Sequence, residues 1–114
     1  MIRLTVLYNL KPYIDEDEFL QWRLTEHQKS NGSMKGVIRT DFARINQAVL
    51  SKDQPPYRFM TTVDWPDMES FNEGFYDPDV QSGLEKNLEM LSDPLFLISE
   101  IMTGEQETGS QENV

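Results

Sequence analysis

The chain has a single histidine, His27, five residues beyond Trp22 in the segment FLQWRLTEHQ. Imidazole is the one ordinary side chain whose charge changes near neutral pH. Beside a carbonyl or phenolic ligand it can exchange a proton or hydrogen-bond, with Glu26 or burial setting the direction of any pKa shift. The competing role is structural, because the dipole favours a histidine near a helix C-terminus. On a regular helix five residues place Trp22 and His27 about 140° apart, so the rings are expected to border a cleft without stacking. Core packing is the other role for Trp22.

Two carboxylates sit within strand-like alternation. Asp64 shares its parity with Met60, and Glu100 shares its parity with Ile98 and Met102. Burial would raise their pKa unless Arg3, Arg39, Arg44 or Arg58 pairs with them. They read either as an ion pair at an interface or as a catalytic acid–base pair, and in the second case Asp64 joins His27 as a catalytic candidate. Tyr8, Trp22, Phe42 and Met60, with Phe96, are candidates to line an apolar substrate pocket or to be plain core.

Other chemistries lack their residues. With no cysteine, disulfides, thiolate nucleophiles and thiolate metal sites are ruled out. One histidine and scattered Asp and Glu match no metal-ligand spacing, so no metal is expected. The six glycines are dispersed and form no phosphate loop, and no serine stands in a nucleophile-elbow motif. No cofactor is expected, although a single histidine leaves axial ligation of haem open. The net charge of −10, with scattered basic residues, disfavours nucleic acid and favours neutral or weakly charged small molecules. MIRLTVLYNLKPY is neither a signal sequence nor a membrane span, which points to a cytoplasmic protein.

The elements that must position these residues follow from periodicity. Residues 2–10 alternate as a strand with one face in a core. Asp15 is placed to cap a helix, with Glu18 three residues on and Ile14 and Phe19 as its hydrophobic staple. That helix is expected to run through Leu20, Trp22, Leu24 and His27 and to fail at Ser30-Asn31-Gly32. Residues 37–45 and 57–65 alternate again, and the loop 46–56 between them contains Pro55-Pro56. Asp67 and Asp77-Pro78 open two parts of a broken helical segment over about 67–91. Asp93-Pro94 is expected to end it, with a fourth strand over 95–102. The domain thus spans 1–103, and the polar tail 104–114 is expected to be disordered.

The order βαββαβ predicts an α+β fold of the ferredoxin-like split kind, a four-stranded antiparallel sheet with both helical segments on one face. Its other face would be partly apolar whichever parity faces the helices. A monomer would then expose a patch at or above the largest usual size, about 300–600 Å². A homodimer closing sheet on sheet removes it.

The spacing of Phe19, Trp22, His27 and Gly36 resembles the aromatic-His-Gly signature of the EthD-type, REDY-like branch of the dimeric α/β-barrel proteins. VDWPDMESF resembles that family's strand-to-helix segment, and LEMLSDPLFLISE the passage into its final strand. The resemblance covers about residues 2–103. It departs from the family at Gln28-Lys29, where a proline commonly follows the histidine. The resemblance implies a homodimer with a small cleft between sheet and helices in each subunit. Relatives with this fold include proteins of ether degradation, REDY-like pigment-pathway proteins, cofactor-free monooxygenases, and lactone isomerases or cyclases, so the resemblance implies no single reaction. The reading is a protein acting on an apolar, aromatic or carbonyl-bearing metabolite. A non-catalytic carrier and a purely structural dimerisation module are the rival readings.

Overall fold

The computed structural model describes residues 1–104, and the expected tail from 105 onward lies outside the described residues. Strand β1, Ile2–Leu10, shows how the alternation resolves: Ile2, Leu4, Val6 and Tyr8 are buried on one face. Cross-strand partners share a face. Phe59, Thr61 and Val63 of β3 (Phe59–Trp65) and Phe96 and Ile98 of β4 (Leu91–Glu100) therefore lie on that same face. Thr40 and Phe42 of β2 (Arg39–Arg44) join them through Val63 and Thr61. The sheet order is β2-β3-β1-β4 with every pair antiparallel, the ferredoxin-like arrangement.

The helices begin where their caps dictate. Asp15 accepts from the Glu18 N–H at 3.0 Å and opens α1, Glu16–Trp22, with Phe19 buried. Asp67 accepts from the Ser70 N–H and opens α3, Met68–Phe75. Asp77, with Pro78 at the first helical position, opens α4, Pro78–Leu88. A capping carboxylate satisfies N–H groups that the helix leaves unpaired.

Two expectations fail for local reasons. The first helix is not continuous. Residues Arg23–His27 form a π-turn, the Gln28 N–H bonding back to the Arg23 carbonyl, before α2 (Gln28–Gly32) resumes. The fourth strand also starts four residues earlier than 95, so Asp93-Pro94 lies inside it. The register jumps from Leu7↔Leu95 to Asn9↔Ser92, so two residues of β4 stand opposite Tyr8, and Asp93 has φ 53°. This bulge on an edge strand accommodates a proline that has no N–H to give the ladder.

The core is an aromatic cluster under the helices. Phe59, fully buried, lies with its ring 5.8 Å from Tyr8, 5.3 Å from Phe19 and 5.6 Å from Phe42. At the other end of β3, Trp65 Nε1 donates to the Lys35 carbonyl at 3.0 Å. There α3 presses Gly74 against the same carbonyl.

Candidate functional site

Between the helical face of the sheet and the helices lies a cavity of about 150 Å³, the size at which an apolar hollow accepts a single aromatic ring. Leu4, Val6, Tyr8, Thr61 and Val63 form its sheet side. Phe19, Trp22, Arg23 and His27 form one helical wall, and Val80, Leu84 and Asn87 of α4 another. A wider hollow of about 460 Å³ opens nearby between α3, α4 and β4, lined by Met68, Phe71, Tyr76 and Ile98 among others. Its wall includes no charged side chain and no imidazole, and the smaller cavity has both.

His27 and Trp22 stack, ring centroids 4.8 Å apart and planes at 22°. The expected 140° offset does not hold, because the hydrogen bond of a π-turn spans five residues and brings position i+5 back over position i. Trp22 in turn packs 5.9 Å from Phe19, which ties the histidine to the core. Across the cavity the Asn87 amide lies 3.4 Å from His27 Nδ1. With the amide donating, the neutral ring carries its proton on Nε2.

Burial pushes the His27 pKa down to about 4, and the nearby charge of Arg23 adds to the effect. No helix dipole stabilises the cation, since His27 ends the π-turn and α2 continues past it. The ring is thus neutral in the folded protein at neutral pH. The unfolded chain, with an ordinary value of 6.5, takes up a proton that the folded chain refuses, so stability is full above pH 6.5 and falls toward pH 4. Allowing for partial solvent screening, the loss is about 2 kcal/mol. The carboxylates held below their ordinary range, Glu16 by Arg58, Asp41 by Arg39 and Asp67 by its Ser70 bond, contribute only from pH 4.5 downward. Urea unfolding between pH 7 and 4.5 should therefore show the histidine's share alone, and a flat profile would refute the neutral ring.

Arg23 is the residue that the sequence reading passed over. It is 1% exposed. Its Nη1 donates to Gln28 Oε1 at 2.7 Å and its Nη2 to Thr61 Oγ1 at 3.2 Å, and the guanidinium lies 4.3 Å from the Phe42 ring centroid. Tyr8 Oη stands 3.4 Å from the same Thr61 hydroxyl. Among the described residues no carboxylate pairs with it. Burial lowers its pKa from a very high starting point, which leaves a guanidinium charged. The signal was present in the sequence: Arg23 is four residues after Phe19, at the start of the π-turn and in line with the stripe by which α1 faces the core.

The remaining candidates separate by face. Tyr8, Trp22 and Phe96 line the cavity with His27, and Phe42 stands behind it as the platform for Arg23. Met60 and Asp64 lie on the opposite face of the sheet, because odd residues of β1 face even residues of β3 there. Asp64 does not come together with His27. It is buried against Arg3, whose Nε and Nη2 donate to its two oxygens at 2.8 and 3.0 Å. Nor does it form an acid–base pair with Glu100, which is exposed on the helical side opposite Ile2. No group of three or more His, Asp or Glu side chains among the described residues could hold a metal, and no helix among them is long and apolar enough to cross a membrane.

The family model described as REDY-like protein HapK matches residues 2–102. No curated protein matches the sequence. Among solved structures, an ethyl tert-butyl ether degradation (EthD) family protein from Bacillus halodurans is 18% identical with a TM-score of 0.69, covering 90% of this chain and 99% of its own. A dimeric ferredoxin-like protein of unknown function from Thermobifida fusca is 19% identical with a TM-score of 0.68, covering 88% and 90%. SnoaB, a cofactor-independent oxygenase from Streptomyces nogalater, is 9% identical with a TM-score of 0.70, covering 93% and 97%. These likenesses are likenesses of fold.

Proposed function

The chain belongs to the family of the REDY-like protein HapK, and we propose on that premise that it is a cytoplasmic homodimer whose cavity binds a small, mostly apolar metabolite, aromatic or carbonyl-bearing. The observation that carries this reading is the cavity wall. Aliphatic and aromatic side chains surround a set of polar groups that includes Tyr8, Thr61, Arg23, His27, Asn87 and, at its exposed edge, Asp79, the composition that holds and orients a small ligand. Pairing through the far sheet face is the second part of the reading. That face carries Leu7, Met60, Leu95 and Leu97, the last two 39% and 46% exposed, and an identical face would cover it.

As an enzyme it would be a cofactor-free oxygenase, isomerase or cyclase, the first being the activity ascribed to the SnoaB neighbour. The substrate then supplies the reactive electrons. The cavity strips its water, and His27 hydrogen-bonds or receives the proton that leaves an acidic position. A carrier is the second reading, and one observation favours it: a histidine with a pKa of about 4 is a weak base at neutral pH. Catalysis therefore requires the bound ligand to raise that value.

Native mass spectrometry of protein purified from its host tests the reading. The expected mass is two chains with a small molecule bound to each. Gly83 lines the cavity and an added Cβ there meets nothing within 4 Å, so Gly83→Phe should keep the dimer and lose the adduct. Single chains without adduct would overturn the proposal.

A further inference from the structure

A buried arginine without a carboxylate is costly, because taking an ion out of water carries a penalty of several kcal/mol that a counter-charge normally offsets. Arg58 shares Glu16, and Arg3 has Asp64; Arg23, the most deeply buried cation, has two neutral acceptors and an aromatic ring. A guanidinium has five N–H donors; among the described residues two of them reach Gln28 and Thr61, and the Tyr8 hydroxyl is a further neutral neighbour. Arg23 is among the residues lining the cavity, with only 1% of its surface accessible in all. The one carboxylate of the cavity wall, Asp79, lies on the exposed first turn of α4 and makes no ion pair among the described residues.

We propose that the cavity takes its ligand as an oxyanion, a carboxylate, enolate or phenolate on an apolar or aromatic body, with Arg23 as the counter-ion. This deepens the small-molecule reading and rests on it. The guanidinium fork matches two oxygens of a planar anion. Phe42, flat against it, and the Gln28 and Thr61 bonds hold it in place before the ligand arrives. Burial is the larger of the two causes that disfavour protonation of His27, and the ligand anion also offsets the smaller one, the Arg23 charge. A ligand that loses a proton in the cavity would thus create the anion that Arg23 holds while raising the affinity of His27 for that proton.

Benzoate and benzamide, one ring each and nearly the same shape, separate charge from fit. Binding at pH 7 is read from the NMR shifts of the Trp22 indole and the His27 ring. Benzoate should bind at least tenfold more tightly than benzamide to the wild-type protein. Arg23→Met should abolish the preference, and Arg23→Lys, which keeps the charge without the fork, should retain part of it. Arg23→Lys and the wild-type pair decide the matter if Arg23→Met does not fold. Benzamide binding as tightly as benzoate, or a preference that survives in Arg23→Met, overturns the oxyanion and leaves the small-molecule reading intact. Failure of both compounds to move either ring overturns the oxyanion, and an absent adduct in native mass spectrometry then overturns the cavity reading as well.

Discussion

Phe59→Ala is expected to destabilise the protein by about 3–5 kcal/mol, the usual cost of emptying an aromatic site in a packed core. Phe59 has no exposed surface and touches the rings of Tyr8, Phe19 and Phe42. Collapse cannot fill the void from one side, because sheet neighbours are held by their ladders and Phe19 by a capped helix. A domain of this size has about 5–15 kcal/mol in total, so a large fraction of its stability is at stake. The site should loosen as well: Phe42 supports Arg23, and Phe19 supports Trp22, on which His27 stacks. Urea unfolding measures the first effect, and the His27 titration midpoint, rising from about 4 toward its ordinary value, measures the second. A loss below about 1 kcal/mol would mean that the aromatic cluster is not a rigid unit.

Gly74→Ala should cost about 3 kcal/mol or more, beyond the ordinary range for overpacking. An added Cβ would overlap the Lys35 carbonyl oxygen and lie 2.8 Å from Trp65 Nε1. Those two atoms are acceptor and donor of one hydrogen bond between β3 and the loop before β2, so relief requires either that bond to break or α3 to draw back and pull Phe71 off the Trp65 ring, 5.1 Å away. Gly83→Ala is the contrast within the same chain. An added Cβ meets nothing there, and alanine's better helix propensity should stabilise α4 by up to about 1 kcal/mol. Thermal or urea unfolding of the two variants should give shifts of opposite sign. Equal shifts would show that α3 does not pack as closely as Gly74 requires.

Much of the frame was legible along the chain because it is local. A carboxylate three residues before an orphan N–H caps a helix wherever that helix later packs, and Asp15 and Asp67 do so. Alternation places Ile2, Leu4, Val6 and Tyr8 on one face without reference to the rest of the protein. The β4 boundary was less legible. Asp93-Pro94 breaks a regular helix or strand, but a bulge at an edge takes up both residues, and whether a strand is at an edge is a property of the sheet.

The site divides along the same line. Sequence by itself determined that one histidine is available, that an aromatic residue precedes it, and that βαββαβ order must leave one sheet face without helices, since each follows from residue identity or a fixed period. Tertiary structure decided which parity faces the helices, and so sent Met60 and Asp64 to the far side. It also decided that a π-turn brings Trp22 onto His27, and that Arg23 is buried over Phe42 with no carboxylate beside it among the described residues. The physical reason is that a charge or a ring acquires its energy from what surrounds it, and those neighbours, Thr61 and Asn87 among them, come from strands and helices far along the chain.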